Sequence, residues 1–186
     1  MAVSDLPITP LHYPIAKIIH LLGSKVSLSL PALFVGSMIP DLEVPFMFFL
    51  SKDWVQDRMV LHSLIGGLTL GTLIAVGLTV FLYPRVVRVF LPIDKNRAKE
   101  QCRFSLTLVL CCSIGVLSHV LLDVANHTYN PLFWPFVSLF ETPSPIVAFL
   151  GGRDVASIIV HGSMLVLGAV LLYRGRSDFW NKALVG

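Results

Sequence analysis

An all-α fold, a polytopic transmembrane helical bundle built as one membrane-embedded domain over residues 1–186, is what the sequence predicts, and three observations carry that prediction. First, 55% of the residues are hydrophobic and only 13% are charged, against about 25% charged in soluble domains. Second, the apolar residues gather into runs near the length of roughly 20 residues that crosses a bilayer. Third, the basic residues cluster between those runs, the pattern that orients a membrane protein. The length leaves no room for a sizeable second domain, and neither an internal repeat nor a low-complexity tract is visible. With a net charge of +3 and no basic stripe, nucleic acid is not an expected partner. Cys102, Cys111 and Cys112 read as small apolar fillers, because adjacent helical positions point in different directions.

Residues 1–10 contain Asp5, Pro7 and Pro10 and lack a basic flank, so no signal peptide is expected and the start should remain in the mature protein. Residues 11–22 form a short helix carrying His12, Lys17 and His20, with Pro14 in its first turn. Twelve residues cover about 18 Å, too little for a hydrocarbon core of about 30 Å. The apolar run 28–50 is interrupted by Pro31, Pro40, Asp41, Glu43 and Pro45. A full crossing would strand His12 on the far side from Asp41. A re-entrant or broken hairpin of 11–22 and 28–40 brings both to one pole, and this is the expected arrangement.

The polar link 51–59 places Trp54 at an interface. Residues 60–83 make a full span whose Gly66, Gly67, Gly71 and Gly77 allow close packing. Residues 84–103 carry Arg85, Arg88, Lys95, Arg97, Lys99 and Arg103 against Asp94 and Glu100, the clearest cytoplasmic signal. Spans 104–125 and 155–173 follow, making three or four full crossings with the N-terminal hairpin beside them. Between them, 126–154 is rich in proline and aromatics, including Tyr129, Phe133 and Trp134, and suits an interfacial cap. Arg174, Arg176 and Lys182 place the C-terminus with the 84–103 loop in the cytoplasm, in an integral protein of the plasma membrane. The polar residues then converge near the external face.

Within that frame the stretch SHVLLDVANH sets His119, Asp123 and His127 four residues apart, so a helix brings all three near one face. Ionisable groups in lipid need a metal, a polar partner or water, and imidazole with carboxylate suits zinc or manganese. Positions eight apart are separated by about 12 Å, so His119 and His127 cannot easily share an ion, whereas Asp123 reaches toward either and can bridge two. A buried hydrogen-bonded network that aids packing is the plain alternative.

His62 at the start of its span suits ligation or an interfacial role. Arg58 suits a bidentate grip on phosphate, or is an interfacial charge beside Asp57. Asp41 is a ligand or an N-cap, Glu43 a ligand or a base behind the ligands, and His12 a ligand that gives the first helix its reason to reach the site. His20 and His161 are weaker candidates that hydrogen-bond across helices; His20 is otherwise an interfacial residue, and His161 could orient a ligand or donate to substrate, though no local motif supports it. Asn126, Tyr129 and Trp134 are suited to shaping the mouth, with plain contact with lipid the equal alternative for the two aromatics.

The motifs TPLH, GSMIPDLE, RMVLHS, SHVLLD and NPLFWPF, in that order through about residue 136, resemble the YdjM-like family of membrane-bound metal-dependent hydrolases. More distantly, the order of polar residues is similar to the zinc-dependent phospholipase C and fungal single-strand nuclease superfamily. The resemblance implies His12 as an N-terminal ligand, and Asp41, His62 and His119 around a principal metal. It makes Asp123 a bridge to a second ion and gives His127 a further position. The chain departs from the soluble enzymes in starting MAVSDLP, without their N-terminal tryptophan, and in having Leu165 four residues after His161 where an acid would stand. One or two Zn²⁺ ions are therefore expected, with Mn²⁺ as a substitute.

The function that follows is hydrolysis of a phosphoester of a membrane lipid or other amphiphile by water whose pKa a divalent ion brings to about 7. Asp41 or Glu43 would accept the proton and Arg58 would hold phosphate. A metal-binding transporter and a structural membrane protein without hydrolytic activity are the alternatives.

Overall fold

The computed structural model describes residues 9–51 and 58–186. Trp54, Asp57 and the first eight residues, which carried expectations above, lie outside the described residues. Among those described, the elements are helical, and extended pairing is limited to one isolated bridge between Tyr129 and Pro143.

Helix α1 (Tyr13–Leu22) opens with Pro14 in its first turn, where a missing N–H costs nothing. It stops at Gly23, and α2 (Leu30–Met38) starts where the Ser29 side chain accepts the Ala32 N–H. The two pack against each other as the expected hairpin. A 3-10 turn at Pro40–Leu42 then leads into α3 (Glu43–Ser51). Helix α4 (Leu64–Phe90) is capped by Ser63 and contains two π segments, Gly67–Gly71 and Leu78–Leu82.

The expected end of this span at residue 83 is corrected, since α4 runs on to Phe90. Pro84 sits in the first turn of the last α-helical segment, directly after a π segment that has already broken the i to i−4 ladder its ring would disrupt. The 84–103 link is likewise more ordered than a loop: Asp94 accepts from the Asn96 and Arg97 amides and starts α5 (Lys95–Gln101). Helices α6 (Leu106–Asn126), α7 (Pro145–Phe149), α8 (Arg153–Gly175) and α9 (Phe179–Leu184) complete the chain.

Among the described residues, four helical segments are long and apolar enough to cross a membrane: Leu30–Leu50, Leu64–Phe90, Leu106–Asn126 and Arg153–Leu184. Large apolar side chains such as Phe46, Leu73, Phe81, Ile158 and Leu165 point outward, as lipid-facing positions do. The protein is thus an all-helical, multi-spanning integral membrane protein.

The core sits where α2 crosses α6, around Ala32, Leu33, Cys111, Cys112 and Val116. A Cβ on Gly36 would lie 2.4 Å from the Cys112 carbonyl oxygen, and one on Gly115 2.4 Å from that of Leu33. Only glycine on both helices lets the backbones approach this closely. Gly66 and Gly67 are also tightly packed, but Gly77 has nothing within 4 Å of its Cβ position, so its expected packing role is corrected. All three cysteines are free and buried, as fillers are.

Candidate metal centre

The register of α6 carries His119 and Asp123 on its buried face, one turn apart. The α2–α6 crossing brings the Ser37 carbonyl to His119, which donates from Nδ1 over 2.8 Å. That bond fixes the tautomer and leaves Nε2 with a free lone pair. His62 is held in the same way from α3, its Nδ1 donating to Glu43 Oε2 over 3.1 Å. Glu43 also accepts the amides of Met59, Val60 and Leu61 at 3.1, 2.6 and 2.9 Å. Both its oxygens are occupied in clamping the segment that leads His62 into α4.

The freed nitrogens face two aspartates. Asp41 Oδ1 lies 3.5 Å from His119 Nε2 and 3.8 Å from His62 Nε2. Asp123 Oδ2 lies 3.5 and 3.6 Å from the same two nitrogens. The other Asp123 oxygen looks the opposite way, 3.9 Å from His12 Nε2 and 3.7 Å from His127 Nε2. His12 stacks on His119 with ring centroids 3.8 Å apart, so the hairpin does deliver it to the cluster.

These separations exceed hydrogen-bond lengths but match atoms arranged around one cation. Zinc bonds of 2.0–2.1 Å in a tetrahedron give ligand-to-ligand edges of about 3.4 Å. Two overlapping groups have metal-ligand spacing, Asp41 with His62 and His119, and His12 with His119 and Asp123. His119 belongs to both but has one free nitrogen and can serve one ion. Asp123, with an oxygen on each side, is the residue able to serve two.

His62 Nε2, His119 Nε2, Asp41 Oδ2 and His12 Nδ1 are all buried with no hydrogen-bond partner among the described residues. Each such atom costs about 1–3 kcal/mol when left unsatisfied; the two that face both aspartates, His62 Nε2 and His119 Nε2, fit a cation, and the N and O donor set without sulfur fits zinc or manganese.

The charge balance agrees. Burial pushes His12 down to about 4, with His119 adding to the effect, and it pushes His127 down to about 3. Both rings are therefore neutral, the ligating form, near pH 7. Burial also disfavours charge on His62, but the Asp41 and Glu43 carboxylates outweigh it and hold this ring above its ordinary value. The site thus draws positive charge toward His62 Nε2. The Arg58 charge bears on both His62 and His127, and its buried Nε has no partner among the described residues.

Other sequence candidates lie in the second rank or elsewhere. Helix α6 ends at Asn126, and His127 follows in extended backbone at φ −113, ψ 138. Asn126 Nδ2 donates to His127 Nε2 over 3.0 Å and to His161 Nε2 over 3.2 Å, joining α8 to the site. His161 Nδ1 meets Ser157 Oγ at 3.1 Å. His20 lies at the far end of α1 with Nδ1 on the Leu28 carbonyl, outside the cluster. Tyr129 is exposed against Phe140, while Trp134 lines a cavity of about 370 Å³ together with Met59 and Phe140.

Sequence reasoning missed the Ser37 carbonyl, the amide clamp on Glu43 and the Asn126 bridge. A faint signal for the first was available in Gly36-Ser37 and Gly115, small residues that permit a close crossing.

No curated protein and no solved structure matches the chain. A family model described as YdjM inner membrane protein matches residues 12–181. The match takes in each clustered side chain from His12 through Asp41, His62, His119 and Asp123 to His127, and the chain belongs to the YdjM inner membrane protein family.

Proposed function

We propose that this protein is a membrane-bound metal-dependent hydrolase that cleaves a phosphoester of a lipid or other amphiphile, with Zn²⁺ as its metal and Mn²⁺ as a substitute. One observation carries the reading: His62 Nε2 and His119 Nε2, buried with no hydrogen-bond partner among the described residues, converge with Asp41 Oδ1 and Asp123 Oδ2.

Asp41, His62, His119 and Asp123 Oδ2 hold the principal ion in this reading. Asp123 Oδ1, His12 and His127 would offer a second position. A divalent cation supplies Lewis acidity toward a phosphoryl oxygen and a nucleophile from water at neutral pH. Asp41 Oδ2, the unpaired buried carboxylate oxygen, is the proton acceptor. Glu43 is a positioning residue, because its oxygens are already committed to four N–H groups. Arg58 binds the phosphate charge.

The cavity walled by Met59, Trp134 and Phe140 begins one residue from Arg58, which suits a phosphoester with an apolar stem. Beyond the cluster the α2–α6 interface is apolar and close-packed, which supports hydrolysis over passage of an ion. The basic 84–103 link and C-terminus support an external position for the site.

The test is hydrolysis of dihexanoyl phosphatidylglycerol by detergent-purified protein supplied with Zn²⁺ or Mn²⁺. Asp41→Asn should lower the rate by about 100-fold or more. Wild type that holds metal yet turns over no faster than Asp41→Asn would reject hydrolysis.

A further inference from the structure

Along the side of α1 that carries Tyr13, Lys17, His20 and Leu21 lies a cavity of about 520 Å³ that shares no residue with the metal-spaced groups. It extends from Tyr13, the first residue of the helix, to His20 and Leu21 in its last turn. Four chain segments meet there: α1, the α5 helix, the end of α8 and the C-terminal α9. They contribute Lys17, Arg97, Arg174 and Lys182 against a single acidic side chain, Asp178. Leu171, Leu172 and Phe179 supply apolar wall beside these cations.

The hydrogen bonds of the two lysines go to uncharged acceptors. Lys17, buried to 8% exposure, donates to the Lys182 carbonyl, and Lys182 Nζ donates to Ser177 Oγ at 2.7 Å, both neutral acceptors. Asp178 turns its Oδ1 to the Asn181 amide at 2.9 Å. Among the described residues no carboxylate forms an ion pair with Lys17, Arg97, Arg174 or Lys182. Like charges pressed together in a partly apolar cavity repel, and an anion between them removes that cost. Two guanidinium groups favour an oxyanion they can grip in bidentate fashion.

From this we propose a second ligand site, separate from the metal centre: the cavity between α1, α5, α8 and α9 binds a phosphate group through Arg97, Arg174, Lys17 and Lys182. The apolar wall takes the stem of a phospholipid whose headgroup supplies that phosphate. The site lies at the pole bearing the basic link and C-terminus, where anionic lipids concentrate basic residues. It shares no residue with the metal-spaced groups and does not rest on the metal reading.

The experiment is native mass spectrometry of the full chain in detergent, titrated separately with dioleoyl phosphatidylglycerol, dioleoyl phosphatidylcholine and inorganic phosphate. Wild type should retain phosphatidylglycerol in preference to phosphatidylcholine. Arg97→Gln with Arg174→Gln should weaken that retention by about tenfold or more. Arg97→Lys with Arg174→Lys keeps the charge, and its retention should fall between the two. Circular dichroism and elution volume establish that each variant is folded. Phosphatidylglycerol binding that excess inorganic phosphate does not displace supports the lipid source, and displacement by millimolar phosphate supports a phosphate site filled from solution. Equal retention by wild type and a folded Gln double variant, or no preference over phosphatidylcholine, overturns the proposal.

Discussion

His62 and Glu43 are joined by a 3.1 Å hydrogen bond from Nδ1 to Oε2, and the same imidazole turns its unpaired Nε2 toward Asp41 and Asp123. A carboxylate behind a histidine fixes the ring and makes it a stronger ligand. Glu43→Gln removes the charge and sets an NH2 donor against at least one N–H of the clamp. In protein confirmed as folded by circular dichroism it should weaken zinc binding by about 10–100-fold, read by competition against a chelator of known affinity. Unchanged affinity would remove Glu43 from the site.

Gly115→Ala tests how α6 is brought to the cluster. Its Cβ would lie 2.4 Å from the Leu33 oxygen and 2.9 Å from the Ser37 nitrogen, both backbone atoms. The helices must part, at a cost of about 1–3 kcal/mol, and the Ser37 carbonyl withdraws from His119. A lower melting temperature in detergent is expected. Gly77→Ala meets nothing within 4 Å and serves as the control that should not melt earlier.

The N-terminal hairpin and the i, i+4 pairing of His119 with Asp123 were legible because both follow from sequence spacing and the cost of stranding charge in lipid. The two-sided use of Asp123 followed from the 12 Å between His119 and His127, though the chain actually turns out of the helix at His127. The acceptors behind the ligands were not legible. Ser37 acts through a backbone carbonyl, which every residue possesses, and Glu43 through amides of a segment 16 to 18 residues away. The continuation of α4 past Pro84 was hidden because a proline reads as a stop unless a π segment precedes it. The basic cavity was visible only as two separate charge clusters until the fold joined them to Lys17.

His12 carries a pH signature. Burial lowers its folded pKa to about 4 from an ordinary 6.5. Between those values the unfolded chain binds the extra proton, so His12 costs stability as pH falls through that window. In metal-stripped protein, the melting temperature of His12→Gln relative to wild type should therefore rise as pH is lowered from 6.5 toward 4. A difference that is flat or moves the other way would contradict the burial of this ring.

Arg58→Ala separates phosphate binding from metal binding. Its Nε is buried with no hydrogen-bond partner among the described residues, its charge bears on His62 and His127, and a guanidinium has no lone pair to offer a metal. Bound zinc should be unchanged, while KM for a phosphodiester should rise by about tenfold or more, the loss of one charge-assisted contact. Loss of metal from this variant would mean that Arg58 organises the site instead of the substrate.

The central claim is that distant side chains close around an ion, and metal analysis of detergent-purified protein tests it most directly. Wild type, His119→Ala and Asp123→Ala are purified alike, confirmed as folded by circular dichroism, and measured for zinc and manganese by elemental analysis. At least one ion per chain in wild type and its loss from both variants is the predicted result. Equal metal content in all three would contradict the account.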